Sequence, residues 1–527
     1  MDTSQLLTLW NDRASQLGVV DLSLLGVGAV IAFAWLFSGG KKARTPPGPR
    51  PLPILGNLLS IPTTHPWKIY DKWCRDNNSD LMYLRLPGGN GILVLNTMKA
   101  ATDLLVKRST IYSDRPQSIM LSDLMGMSWV FGLMQYGDAW KQHRRLFHRE
   151  FEGSTAVRMH AQNAARRLLQ RLLNSNVNYA RDMQLTTGDM ILSATYGITP
   201  KSEDDYFIKL AEGLVGALAV VAGGGFLVDL IPPMRWIPRW FPGGGFKKQA
   251  DEWKGLGVTA RSVPFNHVKE QLANGTAPLS IASHFLAAHQ EDDESTNESK
   301  EFMQNILAEA YLGGAGATVG TLCTFTLAMA LNPDVQKRAQ AAIDEALHGE
   351  RLPDFTDFGN IPYMDALLNE ILRWHPGAPL GLFHSSNKDD VYEGYLVPKG
   401  TFISPNVWAI LHDPAVYGED VDEFRPERFL TKDGKRNDIP DSEIAFGFGR
   451  RICPGRTMGR DTLWITSASI LATFDITNPV DKEGKPLDPA SIEYSNSMSS
   501  RPPYFDCTFK LRSKAAEALV RNGLNEA

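Results

Sequence analysis

A chain of 527 residues that is 43% hydrophobic and 21% charged has the composition of a globular protein with a large core. Its formal net charge of −5 argues against nucleic acid as the main partner. The four cysteines, Cys74, Cys323, Cys453 and Cys507, lie far apart with no CxxC pair, which argues against a disulfide scaffold or a zinc knuckle and suits a reducing compartment.

The N-terminus stands apart from the rest. Between Leu17 and Phe37 the only charge is Asp21, and Lys41, Lys42 and Arg44 follow the apolar run. About 20 apolar residues span a bilayer, so residues 1–45 are predicted to be a single membrane anchor with a basic stop segment. Basic residues after the span place the bulk of the chain, residues 46–527, in the cytoplasm. The positive charges come after the apolar run and no small-x-small site follows, so an uncleaved anchor fits better than a signal peptide. The stretch 45-TPPGPRPLP-53 then forms a stiff strut. The sequons at Asn77, Asn274 and Asn297 would lie in the cytosol and are read as chance matches.

Beyond the strut, 81-LMYLRLPGGNGILVLN-96 predicts two strands joined by a glycine-rich turn. A mostly helical body follows, from about 98 to 372. His143, Arg144, Arg145, His148 and Arg149 make one of its helices basic. Residues 223–248, rich in proline and glycine, interrupt the body and carry Trp236, Trp240 and Phe241 among arginines. Both a solvated connection and a membrane-dipping surface suit that composition.

One long helix is predicted over 299–331, on the order of 50 Å in length. Inside it 311-YLGGAGATVGT-321 holds four glycines, each costing about 1 kcal/mol against alanine in a helix interior. Asn332 and Pro333 are predicted to cap and open the next helix, 333–347. A further helix over 362–374 places Met364, Leu367, Leu368, Ile371 and Leu372 on one face. Strands 394–398 and 401–405 are expected to pair around Lys399-Gly400, and a last helix to run from 454 to about 474. The fold class is therefore mainly α with small β-sheets.

The sharpest chemical signal is 446-FGFGRRICPG-455. Gly447 and Gly449 let the backbone lie close to something flat. Cys453 precedes a helix opening with Pro454, so its sulfur is expected to face the positive helix end, which stabilises a metal-binding thiolate. A buried free cysteine is the other reading. Phe446, Gly449, Arg451, Cys453 and Gly455 match, position for position, the haem-binding signature of the cytochrome P-450 haem-thiolate monooxygenases. Glu370 and Arg373 fit that family's Glu-x-x-Arg helix, 426-PERF-429 supplies Arg428, Trp140 and Arg144 fit its Trp-x-x-x-Arg, and 383-FHSSNKDD-390 resembles its propionate segment. The similarity covers the chain from about Pro46 onward and is strongest to membrane-bound fungal members.

The resemblance implies the P-450 fold behind a single transmembrane helix in the endoplasmic reticulum. It implies haem b, with Cys453 ligating the iron and Trp140, Arg144, His384 and Arg451 bonding the propionates. It also implies a structural triad of Glu370, Arg373 and Arg428. The basic helix becomes a dock for an electron donor, NADPH-cytochrome P-450 reductase or cytochrome b5, and the substrate a mostly apolar molecule of fungal secondary metabolism. Substrate recognition would use residues 113–129, the loop from Gly223, residues 376–383 and the tail around 494–504. The GGAGATVG run is no dinucleotide fingerprint: Val319 occupies a glycine position and no strand precedes it.

Departures occur where protons should enter. The family places an acid and a threonine on the distal helix. Counted without gaps, Gly314 keeps its family position and, with Gly313, is expected to let the helix kink and pass close to the haem, while Gly316 replaces the acid and Ala317 the threonine. Thr318 is the remaining alcohol, about 100° round a regular helix. A monooxygenase relaying protons through ordered water, Thr318 or a substrate hydroxyl is the first reading. A haem-thiolate enzyme that bypasses ordinary O2 activation (peroxide-using, isomerase or dehydratase) is the second, and a catalytically silent haem-binding membrane protein the third.

Overall fold

The computed structural model describes residues 44–174, 178–202, 204–224, 226–289, 294–314, 316–481, 483–489, 492–496 and 499–523. The membrane-anchor expectation falls on residues outside this set. Eleven of its helices position the site: α1 (Pro66–Asp76), α2 (Asp138–Phe151), α3 (Thr155–Asn174), α4 (Tyr179–Tyr196), α5 (Tyr206–Ala222), α6 (Gly245–Ala273), α7 (Glu294–Gly314), α8 (Ala317–Leu331), α9 (Pro333–Leu347), α10 (Pro362–Trp374) and α11 (Arg456–Thr473). Apolar side chains of α3, α4, α7, α8, α9, α10 and α11 share one continuous core, with Trp464 and Phe325 at no measurable exposure. α8 is apolar all round, as a helix surrounded by others must be.

A four-stranded sheet in the order β1-β2-β6-β3 lies at one side. β1 (Leu81–Arg85) and β2 (Gly91–Leu95) form the expected hairpin, with Leu81 opposite Leu95. The later strands depart from expectation. β5 (Tyr395–Val397) pairs with β4 (Asp390–Tyr392), whereas β6 (Phe402–Pro405) runs parallel to β2 and antiparallel to β3 (His384–Ser385). Residues 394–398 and 401–405 thus do not pair with each other. Ile403 and Ser404 of β6 are fully buried, and docking them on β2 removes more apolar surface than a local hairpin would. A third sheet joins β7 (Phe474–Val480) to β8 (Asp506–Leu511).

The predicted long helix is two helices. Gly316, at φ −112° and ψ −76°, precedes α8, while Gly313 and Gly314 stay within α7, so they are not where the helix breaks. Asn332 takes the predicted N-cap position before Pro333, and its carbonyl accepts from the Gln336 N–H at 3.1 Å. Its side-chain amide makes no cap bond and instead donates back to the Ala328 carbonyl at 2.9 Å. The last helix starts at Arg456, leaving Pro454 and Gly455 in the turn before it.

Candidate functional site

The cysteine loop is held by backbone geometry. Gly449 has φ +55°, and a Cβ there would overlap the Leu105 carbonyl of the neighbouring segment. The partner that Gly449 admits is therefore protein backbone, not the flat cofactor expected from sequence. Gly447 turns the chain at φ +93°, after which the Cys453 N–H donates to the Phe446 carbonyl at 2.8 Å. The Gly455 N–H bonds the Cys453 sulfur and favours the thiolate, as do Arg144 and Arg456. Burial outweighs them and pushes the thiol above its usual value, with Glu309 adding to the rise. The Gly455 N–H at the start of α11 acts in the direction expected of the helix end, and desolvation outweighs it.

Guanidinium groups converge beside this loop. Arg144 on α2 donates from Nη1 to the Ile452 carbonyl at 2.7 Å, next to Cys453. Arg451 lies over the Trp140 ring at 4.9 Å and donates from Nη2 to the carbonyls of Gly132 (3.0 Å) and Met134 (2.7 Å). Its Nη1 is buried without a partner. Arg115, which sequence reasoning did not single out, donates to the carbonyls of Gly132 (3.0 Å), Leu382 (2.9 Å) and Phe383 (2.8 Å). Its only sequence signal was a lone arginine inside the 113–129 segment. Burial holds Arg451 down to about 10 and Arg115 well below its ordinary value, each arginine also opposing a neighbouring cation. His384 is buried, donates from Nδ1 to the Tyr112 carbonyl at 2.8 Å, and is kept neutral by burial and by Arg115. That tautomer leaves Nε2 as an acceptor.

Across from the loop, α7 and α8 present a small-residue face. Gly313 and Ala317 are exposed although Leu312 and Val319 beside them are buried. A Cβ at Gly313 would meet nothing within 4 Å, so that face borders open space. Gly314 faces the other way: its Cβ would come 3.2 Å from Ile191 Cγ1 on α4. The expectation that Gly314 approaches the cofactor is therefore corrected; it lets two core helices pack closely. Thr318 is half-buried in the first turn of α8, about 100° from Ala317. Glu309, also missed from sequence, lies on α7 one turn before Gly313. Its Oε1 accepts from the Gly132 N–H at 2.7 Å, its Oε2 is enclosed without a partner, and burial raises its carboxyl to about 7.

Glu370, Arg373 and Arg428 form a fully buried network. Arg373 forks onto Glu370 at 2.7 and 2.9 Å, and Arg428 Nε approaches both carboxylate oxygens at 3.1 Å. The remaining guanidinium protons reach the carbonyls of Leu411, Val421, Glu423, Tyr417 and Asp420. A surface i,i+3 pair, the ordinary reading of Glu370 and Arg373, does not describe this arrangement.

The four segments expected to meet substrate converge on the same side. Asp229 accepts from Ser118 Oγ and the Met120 N–H, both at 3.0 Å, tying 113–129 to the loop after Gly223. Gly377 lies against Ala317 and Thr321, and Gly320 against Ser500 of the tail. On the flank of α2 an open depression of about 570 Å³ is lined by Trp140, Lys141, Arg144, Arg145, His148 and Arg149.

A lone cysteine offers a metal one ligand, and among the described residues no group of three or more His, Cys, Asp or Glu is arranged to hold an ion. A metal at Cys453 must therefore bring its other ligands in a cofactor. The desolvated arginines and the free Nη1 of Arg451 require that cofactor to carry anions. An iron porphyrin with propionates meets both demands, so the site fits a haem-thiolate protein. Comparison with known proteins narrows this further. The cytochrome P450 family profile matches residues 46–504, and the chain belongs to that family. It is 39% identical to a cytochrome P450 monooxygenase of Armillaria gallica, over 94% of this chain and 97% of the relative. A cytochrome P450 monooxygenase of Rhodocybe pseudopiperita is 38% identical over 95% and 96%. Tryptamine 4-monooxygenase of Psilocybe cyanescens is 36% identical over 90% and 94%. The protein is a haem-thiolate monooxygenase whose cofactor is haem iron.

Proposed function

We propose that this enzyme inserts one oxygen atom from O2 into a mostly apolar organic molecule of fungal secondary metabolism, with electrons from NADPH passed through a reductase. The observation that carries the reading is the convergence of Cys453 with the Arg115, Arg144 and Arg451 guanidiniums, one nitrogen of which is buried and unpartnered. Haem held by Cys453 would supply O2 activation, a chemistry that thiolate ligation favours.

The rest belongs to the chain. Cys453 would give the iron its ligand, and the Gly455 N–H favours negative charge on the sulfur. Arg451, Arg115 and Arg144 would neutralise the propionates, with Trp140 packed against Arg451, and His384 Nε2 would accept a hydrogen bond from a protonated propionate or water. Phe446, Gly449 and Gly455 fix the loop, while the Glu370, Arg373 and Arg428 triad locks the segments behind it. Thr318, half-buried next to exposed Ala317, is the alcohol offered for orienting water there.

Trp240 is 81% and Trp236 68% exposed, with Leu227, Ile231 and Phe241 beside them in the same loop. An apolar surface of this size marks a contact, and aromatic residues mixed with arginines suit the interface of the endoplasmic reticulum membrane. This supports the membrane-dipping reading of 223–248 and the single-pass anchor at 1–45. The basic depression on α2 suits an acidic electron donor, NADPH-cytochrome P-450 reductase or cytochrome b5.

Gly316 and Ala317 favour one alternative, a haem-thiolate enzyme that does not activate O2 in the usual way. Purified enzyme with reductase and NADPH should turn over a cognate substrate found by a spin-shift screen of terpenoids, polyketides, fatty acids and aromatics. Turnover that needs added peroxide, or that NADPH does not accelerate, would establish the alternative. A carbon-monoxide difference spectrum lacking the long-wavelength band of thiolate ligation would exclude both.

A further inference from the structure

The chain has no acid at 316 and no alcohol at 317, yet an acid stands further back, on α7. Glu309 precedes Gly313 by four residues, one turn and about 6 Å along α7 on the same face, and Gly316 follows the end of that helix. Gly313 is exposed and faces open space. The carboxyl is anchored at one oxygen only, by the Gly132 N–H at 2.7 Å, while the other is enclosed without a partner.

We propose that Glu309 is the acid of this chain's distal pocket: held at the edge of the space beside Gly313, it stores and releases the proton for which Gly316 and Ala317 have no group. The inference rests on the monooxygenase reading. Inserting one oxygen atom of O2 consumes two electrons, supplied by NADPH through a reductase, and two protons, and the second oxygen leaves as water. Glu309 gives one of those protons across water in the open space, becomes a carboxylate, and is reprotonated from solvent.

A polar stripe leads from solvent toward Glu309 on the same helix. Glu301, Asn305 and Glu309 repeat every four residues, so they share one face of α7. Glu301 is exposed and lies 3.7 Å from Arg261. Arg261 donates to Asn305 Oδ1 at 3.2 Å, and the Asn305 amide meets Nε2 of buried His143 at 3.1 Å. Glu309 comes one turn deeper.

The electrostatic setting suits a group that gains and loses a proton in use. Burial raises the carboxyl, and the N–H groups of Gly132 and Phe131 with the cations Arg451 and Arg115 pull it back, leaving it near 7. Cys453 feels the same carboxylate from across the site. A general acid works best with its pKa near the working pH.

The test uses haem-loaded full-length enzyme and begins with a readout that needs no turnover. The ferric haem absorbance of wild type, titrated through pH 7, should show a one-proton step that Glu309→Gln removes and Glu309→Asp shifts. With reductase and NADPH, Glu309→Gln should lower product formation about 10²-fold, diverting electrons to hydrogen peroxide, with spin-shift affinity for the substrate unchanged. A wild type without the step, a Gln variant that keeps it, or normal coupling in that variant would each overturn the proposal. Should the Gln variant fail to take up haem, an Asp variant whose step stays where wild type's lies is the overturning result. If Glu309→Gln keeps the step and loses only the spin shift caused by an amine such as tryptamine, the carboxylate is a substrate contact and the proposal falls. A wild type that forms no product from NADPH and O2 sinks the monooxygenase reading alone, because the spectral titration stands without it.

Discussion

The two sides of the proposed haem site are built on opposite principles. Behind Cys453, the Glu370 triad is saturated: Glu370 accepts from Arg373 and Arg428 together, and both guanidiniums also reach backbone carbonyls. On the α7–α8 side polar groups are sparse and incompletely paired, with glycine and alanine where an acid and an alcohol would stand. A saturated network defines one geometry, since any displacement leaves a buried charge unpaired. A face of small residues leaves room and dictates little, so its chemistry falls to whichever polar groups lie within reach. Rigidity on one side and space on the other suit a site that keeps a ligand fixed while substrates vary.

The largest test of this contrast removes the fixed ligand. Cys453→Ser should abolish the thiolate carbon-monoxide band and all NADPH-driven turnover, with the fold kept as judged by circular dichroism. A band that survives would place the iron ligand elsewhere. Next comes the network: Glu370→Ala strands Arg373 and Arg428 at 0% and 3% exposure, and should cost about 3–5 kcal/mol and reduce haem retention. Denaturant melts measure it, and a loss under about 1 kcal/mol, as for a surface pair, would show the triad to be unimportant.

Stability should also depend on pH, in a direction set by histidine. Burial lowers His143, His160, His375 and His384, and takes His412 to about 3. For each, the folded pKa lies below the unfolded one, so stability is full above the unfolded value near 6.5 and is lost as pH falls through it. Glu309 and Asp365 run the other way: burial raises their carboxyls to about 7 and about 6, and raises Asp461 too, so acidification partly offsets the loss. The five histidines outweigh these carboxyls, and stepping from pH 7 to 6 should cost on the order of 1 kcal/mol. A melting temperature that rises on acidification to pH 6 would show the burial of these histidines to be wrongly weighted.

The saturated side was legible in the sequence and the open side much less so. Cys453, Arg451, Glu370 and Arg373 sit in short motifs that resemble those of the P-450 family, and that resemblance rather than spacing alone implies their roles; α10 has the predicted bounds of 362–374. Arg115 and Glu309 gave no such signal. Each matters through a contact made at a distance, Arg115 with Leu382 and Phe383 and Glu309 with Gly132, and period and spacing do not report contacts between remote segments. The strands at 395–405 failed for the same reason, since β6 chose β2 over its neighbour. Gly449 was read correctly as a close approach but assigned the wrong neighbour, backbone at Leu105 in place of cofactor.

The smallest effect separates adjacent glycines. Gly313→Ala adds a methyl group that meets nothing within 4 Å and gains about 1 kcal/mol of helix propensity. Gly314→Ala gains the same propensity but brings its Cβ to 3.2 Å from Ile191 Cγ1 and 3.3 Å from its Cβ. Ile191 is β-branched and fully buried, so it cannot turn aside cheaply, and overpacking costs about 1–3 kcal/mol. Gly313→Ala should therefore stabilise the fold slightly while narrowing the open face, reducing the range of substrates that give a spin shift. Gly314→Ala should destabilise or leave stability level, with that range unchanged. Ile191→Val alongside Gly314→Ala should recover stability if contact with α4 is the cause. If the two single variants behave alike in melting and in substrate range, the glycines have one shared role, and the division between a packing face and an open face does not hold.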